Sequence, residues 1–310
     1  MRIAVVGAGG TGGYFGGLLA RAGQDVTFIA RGAQLDALRT KGLQVKSRQF
    51  GTFAVPVKAT DNVDEIGPVD LILFCVKAYD TVEAAEAMRP LLGASTMVLS
   101  VQNGIDNESR IAAITGKHAV LGAAATVSAQ IESPGVIAVT QEPAWIRFGE
   151  LDGGVSRRTD HLAEIFQAAG FNSDVFPDIR IQMWEKFVFI CALSGVTTMM
   201  RLPIGPILAH EESRMLFRAV MEEVTAVAHV HGIPLPEDVV DRWFTLSERL
   251  NGGVYGSMHT DLVEGRRLEL ESLNGMVTRL GFAAHVPTPM NFAIYAALKP
   301  LADGPFQAPT

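Results

Sequence analysis

The chain has 310 residues, a formal net charge of −7 and a hydrophobic content of 48%. That length suits about two domains, the apolar share is ample for sizeable cores, and an acidic chain without a Lys/Arg block argues against a nucleic-acid partner. No apolar run reaches membrane-spanning length, no signal-peptide pattern precedes the first strand, and Cys75 and Cys191 lie far apart in apolar contexts, so a cytoplasmic protein with buried free thiols is expected.

The first apolar, β-branched run stops at Gly7. The segment Gly7-Ala8-Gly9-Gly10-Thr11-Gly12 then leads into a helix-like stretch, Gly13 to Ala22. Glycines at 7, 9 and 12 have the G-x-G-x-x-G spacing between a strand and a helix. Gly7 allows the tight turn, Gly9 lets the backbone approach a pyrophosphate, and Gly12 lets the helix pack on the sheet. The helix N-terminus offers unpaired N–H groups to the phosphates. The second strand, Gln24–Arg31, ends on Arg31 with no acid beside it. An acid about 20 residues past the motif selects NAD, whereas an Arg accommodates a 2′-phosphate. The expected cofactor is therefore NADP(H).

Strand-like and helix-like runs continue to alternate. A helix is predicted at Ala33–Thr40, a hairpin-like excursion at Leu43–Ser47 and Thr52–Val57, and a strand buried on both faces at Val69–Val76. A helix at Thr81–Leu91, a strand at Thr96–Val101 and a helix at Asp106–Ala113 follow. A strand near Ala119–Ala124, a hairpin at Gln130–Thr140, a strand at Trp145–Gly149, a helix at Arg157–Ala169 and a strand near Asn172–Phe176 complete the alternation. After Pro177 the pattern is helical throughout: 179–200, Ser213–His231, Pro236–Leu250, Ser257–Glu264, Leu268–Gly281 and Pro289–Leu298. The fold class is α/β: an N-terminal Rossmann-type doubly wound sheet, residues 1–177, followed by an all-α C-terminal domain, residues 178–310. The apolar helical half is compatible with a homodimer. The tail Gly304–Thr310 is expected to fray. The seven histidines lack zinc spacing, and no metal site is expected.

Ligands of open α/β sheets bind outside the carboxyl ends of the strands. Lys77 and Asn103 lie at two such ends and are expected to face the nicotinamide. In the helical half, Lys186 stands among Phe187, Val188, Phe189 and Ile190. Partial burial there disfavours the ammonium form and suits a general acid for a carbonyl oxygen. Ser257 and Glu269 add polar groups. In one straight helix they would stand about 18 Å apart, so a shared role requires a break between them, and Gly265 is the obvious place.

Taken in order, Gly7–Gly12, Arg31, Val76-Lys77, Gln102-Asn103-Gly104, Trp184-Glu185-Lys186, Ser257-Met258-x-x-Asp261, Gly265-Arg266-x-x-Glu269 and Leu273-Asn274-Gly275 resemble the ketopantoate reductase (2-dehydropantoate 2-reductase) family over nearly the whole length. The resemblance implies an NADPH-dependent reduction of a 2-keto acid to a 2-hydroxy acid. It implies that Lys186 is the general acid, Glu269 hydrogen-bonds the substrate, Ser257 holds it, and Lys77 and Asn103 act near the nicotinamide and the substrate, Asn103 among the substrate-binding residues. One departure stands out. The family usually carries Asn four and eight residues after the lysine, where this chain has Ile190 and Ser194. Their spacing keeps both on the Lys186 face, so both are expected to line the pocket. Three alternatives stay open: a 2-keto acid less hydroxylated than ketopantoate, a dehydrogenase acting on a 3-hydroxy acid or an amine adduct, and a non-catalytic NADP(H)-binding module.

Overall fold

A computed structural model describes residues 1–305, apart from the side chains of Gln141 and Glu142. The remainder of the predicted frayed tail, 306–310, lies outside the described residues. The chain divides into two compact units. Unit 1 comprises Met1–Gln102 and Asp106–Gln182; unit 2 comprises Asn103–Ile105 and the chain from Met183 onward.

Unit 1 runs β1 (Arg2–Val6), α1 (Gly10–Arg21), β2 (Asp25–Ile29), α2 (Gly32–Lys41), β3 (Leu43–Ser47), β4 (Gly51–Val55), β5 (Lys58–Thr60), β6 (Leu71–Phe74), α3 (Thr81–Ala87), β7 (Met97–Ser100), α4 (Asn107–Thr115), β8 (Val120–Ser133), β9 (Val136–Glu150), α5 (Arg157–Ala169) and β10 (Asn172–Val175). The strands form one sheet in the order β4-β3-β9-β8-β7-β6-β1-β2-β5, with β10 also on β9. From β5 to β8 every pairing is parallel. Alternation along the strands feeds two cores. Ile3, Val5, Leu71 and Leu73 join the core that holds Phe15, Leu18 and Phe166. Ala4, Val6, Ile72 and Phe74 join Val98 and Ile111 in the other. The strand order turns back at β1, which pairs with β2 on one side and β6 on the other. A topological switch point of this kind opens a crevice at the carboxyl ends of the strands.

Three segments expected as separate elements, Ala119–Ala124, Gln130–Thr140 and Trp145–Gly149, are one long antiparallel hairpin, β8–β9, turning at Pro134 and Gly135. Its register shifts between Thr126 and Ser128, between Ser128 and Ala129, and again before Ser133. Such bulges break the two-residue alternation that marks a strand in sequence. Pro143, inside β9, adds a residue that argues against a strand.

The helix α6 (Ile179–Met200) spans the division between the units. Unit 2 continues with α7 (Ile204–Ala209), α8 (Glu211–Val230), α9 (Val239–Arg249), α10 (Ser257–Val263), α11 (Asn274–Ala283) and α12 (Pro289–Leu298). Phe217, Val220, Met221, Val224, Val227 and Ala228 give α8 a buried stripe at helical spacing. A buried polar cluster ties the helices together. Asn274 Nδ2 donates to Cys191 O at 3.2 Å and to Asn291 Oδ1 at 2.9 Å. Glu223 accepts from the backbone N–H groups of Met290 and Asn291, capping α12. No described helix is long and apolar enough to cross a membrane.

Candidate active site

The glycines of the Gly7–Gly12 turn are held by close packing at the switch point. Gly7 has φ +103, and a Cβ there would lie 2.9 Å from the Cys75 carbonyl carbon and from Val76 N. The loops after β1 and β6 therefore touch backbone to backbone, and a side chain on Gly7 would separate them. On Gly12 a Cβ would stand 2.1 Å from Gly7 O, and on Gly10 it would stand 2.0 Å from Ala129 O of β8. Around Gly9, by contrast, nothing lies within 4 Å of that position. The loop is thus walled at Gly10 and Gly12 and open at Gly9. Helix α1 begins there with no side-chain cap and no acid in its first turn, so its N–H groups and dipole remain available to an anion. These features fit the pyrophosphate of a dinucleotide.

Gly12→Ala is expected to destabilise the protein by about 1–3 kcal/mol through this overpacking. It should also remove most cofactor affinity, because Gly7 O must move. Thermal melting with and without NADPH measures both effects; an unchanged Tm and cofactor-induced shift would contradict the packing argument.

Arg31 stands at the N-cap position of α2 in an extended conformation, its side chain making no cap bond, and is exposed, with Nη2 4.0 Å from Glu83 Oε1. An exposed pair at that distance holds the guanidinium only weakly, which leaves it able to turn to a phosphate. Lys77 opens the short turn Ala78–Asp80 after β6. The preceding carbonyl, Val76 O, accepts from Gln102 Nε2 at 2.9 Å; the same amide nitrogen donates to Thr81 Oγ1 at 2.9 Å. Ser100 Oγ donates to Gln102 Oε1 at 3.2 Å. Gln102 thereby fixes the backbone just before Lys77.

In unit 2 the decisive contact is local. Lys186 Nζ donates to Asn103 Oδ1 at 2.9 Å, with the pair partly buried. Asn103 comes from the short segment after β7 and Lys186 from α6, so the fold brings together two residues far apart in sequence. The break between Ser257 and Glu269 is also built locally. Helix α10 ends at Val263, Gly265 adopts φ +66, and Arg266 returns to Asp261 twice: N to O at 2.7 Å and Nε to Oδ1 at 2.9 Å. Leu268 N then donates to Ala302 O at 2.8 Å. The turn delivers Glu269, 5% exposed, at the start of the 3₁₀ turn Glu269–Ser272. Ser257 is exposed in the first turn of α10. Nearby, the Tyr255 and His259 rings stack at 4.0 Å. Burial, reinforced by the Arg201 charge, holds His259 below the usual histidine range.

The family model for ketopantoate reductase PanE/ApbA matches residues 3–153, and the C-terminal model of the same family matches residues 178–302. The chain belongs to the ketopantoate reductase family. It shares 32% identity over 299 residues with a 2-dehydropantoate 2-reductase of Pyrococcus abyssi, covering 96% of this chain and 97% of that one. The crystal structure of 2-dehydropantoate 2-reductase from Geobacter metallireducens matches with a TM-score of 0.91 at 32% identity, covering 96% of this chain and 99% of that one. A D-mandelate dehydrogenase solved with NADH and anilino(oxo)acetate reaches a TM-score of 0.90 at 22% identity, covering 96% and 97% of the two chains; this likeness is one of fold. The chain is an oxidoreductase of this family.

Within the family pattern the two departures separate. Ile190 is half-buried on α6. Ser194 is fully buried, its Oγ has no hydrogen-bond partner, and a Cβ on Gly256 would fall 2.5 Å from Ser194 Cα. Ser194, expected to line the pocket, is thus covered in this structure. Its spacing does keep it on the lysine face, but the Gly256 backbone covers that point of the helix, which spacing along one helix cannot reveal. Asn274 and Gly275 are structural: the former ties buried helices, and a Cβ on the latter would meet Tyr295 Cε2 at 2.9 Å. Sequence reasoning assigned no role to Gln102, although it stands in the Gln-Asn-Gly run. It also passed over Gln34, one turn after Arg31, whose side-chain amide bonds Ala8 O at 3.0 Å and Gly135 N at 2.9 Å.

Proposed function

We propose that the protein reduces a 2-keto acid to the 2-hydroxy acid with NADPH as reductant, with 2-dehydropantoate as first substrate and pantoate, a pantothenate precursor, as product. Family membership supports the reaction class, and the observation that carries the residue roles is the Lys186–Asn103 hydrogen bond of 2.9 Å. Residues 1–177 would bind the cofactor: Gly7, Ala8, Gly9, Gly10, Thr11 and Gly12 at the pyrophosphate, Arg31 at the 2′-phosphate, Lys77 and Asn103 towards the nicotinamide. When bound, reduced nicotinamide supplies the hydride.

Residues 178–310 would supply most of the substrate groups. The Lys186 ammonium donates a hydrogen bond to the keto oxygen. As the keto carbon gains hydride and the C=O π bond breaks, Nζ passes its proton to the oxygen and is reprotonated from solvent. A positive group aimed at that oxygen gains most when negative charge develops on it, so it stabilises the transition state more than the ground state. Asn103 Oδ1 accepts from Nζ and fixes its direction. Glu269, buried and presented by the Gly265 turn, accepts from a substrate hydroxyl. Ser257 Oγ donates to the carboxylate.

Ile190 favours a second reading. An apolar wall cannot reward a substrate hydroxyl as an amide can, so a less hydroxylated 2-keto acid is the alternative substrate. A panel of 2-keto acids separates the two. Highest kcat/KM on 2-dehydropantoate supports the first reading; higher kcat/KM on apolar keto acids supports the second, with Ile190→Asn expected to shift the preference back.

A further inference from the structure

Gln34, in the first turn of α2, makes two hydrogen bonds that join distant parts of unit 1. Its Nε2 donates to Ala8 O at 3.0 Å, and its Oε1 accepts from Gly135 N at 2.9 Å. A backbone carbonyl only accepts and a backbone N–H only donates, so the two partners allow a single orientation of the amide. Gly135 is itself fixed at the β8–β9 turn, with φ +80 and its carbonyl accepting from Gln44 N at 2.8 Å. The side chain therefore ties the phosphate loop to the sheet.

The consequence for the loop follows from peptide geometry. The Ala8–Gly9 peptide is planar and trans, so its C=O and N–H point in opposite directions. Holding Ala8 O towards Gln34 aims Gly9 N–H the other way. Gly9 is also the loop position with nothing within 4 Å of a Cβ, while Ala129 O closes the loop at Gly10. We propose that Gln34 is a positioning residue for the cofactor pyrophosphate, setting the direction of the Gly9 N–H through the Ala8 carbonyl. It rests on the reading of Gly7–Gly12 as a dinucleotide phosphate loop.

Pyrophosphate is common to NADP⁺ and NAD⁺, whereas the 2′-phosphate belongs to NADP⁺ alone. Gln34→Leu should therefore weaken both cofactors by the same factor, about five- to tenfold for one net hydrogen bond, and leave their ratio unchanged. Arg31→Ala should change the ratio. Gln34→Glu supplies a near-isosteric second variant that still accepts from Gly135 N but, when ionised, cannot donate to Ala8 O. Protonation restores a donor, so NADP⁺ affinity of this variant should recover relative to the wild type as pH falls from about 7.5 to about 4, through the ordinary glutamate range.

The experiment is calorimetric or fluorescence titration of wild-type, Gln34→Leu, Gln34→Glu and Arg31→Ala proteins with NADP⁺ and NAD⁺. Equal loss for both cofactors in Gln34→Leu, together with acid recovery in Gln34→Glu, is the expected result. An unchanged affinity, a loss confined to NADP⁺, or a Gln34→Glu pH response parallel to the wild type would overturn the proposal. Should Gln34→Leu fail to fold, Gln34→Glu decides alone: acid recovery of NADP⁺ affinity at a temperature where the variant is fully folded throughout supports the proposal, and recovery that only tracks a return of folded protein by thermal melting overturns it. Wild-type protein that bound neither dinucleotide would instead overturn the reading of the loop.

Discussion

Lys186→Ala is expected to lower kcat by about a hundred- to ten-thousand-fold, the range for loss of a positioned general acid, with a much smaller change in KM for the keto acid. The expectation follows from where Lys186 acts. In the proposed mechanism its Nζ, directed by Asn103 Oδ1 at 2.9 Å, meets an oxygen whose negative charge grows only as the hydride arrives. An interaction made mainly in the transition state appears in kcat, while one made equally in the ground state appears in KM. Lys186→Arg keeps the charge but exchanges a compact ammonium for a broad planar fork with a pKa too high to release its proton, so it should recover only a small part of the loss. Steady-state kinetics at saturating NADPH measures both variants. A kcat within a few-fold of wild type for Lys186→Ala would remove the residue from the chemistry.

Arg31→Ala is expected to raise the KM for NADPH by roughly ten- to a hundredfold while leaving that for NADH nearly unchanged. A hydrogen bond to a charged group contributes about 1.5–3 kcal/mol when lost; a guanidinium can present two to a phosphate, and solvent exposure reduces the pair to about the worth of one. The competing partner in the protein, Glu83 at 4.0 Å, is exposed and holds Arg31 loosely. High salt should narrow the NADPH preference of the wild type, because the contact is open to solvent screening. Parallel kinetics with both cofactors checks the assignment. If the ratio of kcat/KM values stayed at the wild-type level, 2′-phosphate recognition would have to lie elsewhere.

The parallel core was legible because its physics is local. A buried run such as Leu71–Phe74, a glycine-rich turn after β1 and the capped helix Arg157–Ala169 each announce themselves within a few residues. The β8–β9 hairpin was not, since bulges near Ser128 interrupt its alternation and Pro143 interrupts its composition. Leu268–Gly281 read as one helix, but Leu273 at φ −110, ψ −107 separates the Glu269–Ser272 turn from α11. The short elements β5 and α7 fell below the length at which periodicity can speak.

The same division runs through the site. Gly265 could be picked out because the distance from Ser257 to Glu269 along a straight helix demanded a break, and its φ of +66 meets that need. Lys186 and Asn103 could each be named from type and context, but their 2.9 Å contact is a tertiary fact. Ser194 shows the limit of helical spacing: the correct face of α6 is covered by Gly256, a residue of another segment. Gln34 bonds two backbone groups remote from it in the chain, and nothing about an isolated glutamine signals such partners.

The most direct test is stoichiometric. Purified protein is mixed with NADPH and 2-dehydropantoate, and the fall in NADPH absorbance is compared with the 2-hydroxy acid formed. One pantoate per NADPH oxidised, abolished or strongly reduced by Lys186→Ala, is the predicted result. Tight NADPH binding with no cofactor oxidation on 2-dehydropantoate or any other 2-keto acid would contradict the account and leave a dinucleotide-binding protein without reductase activity.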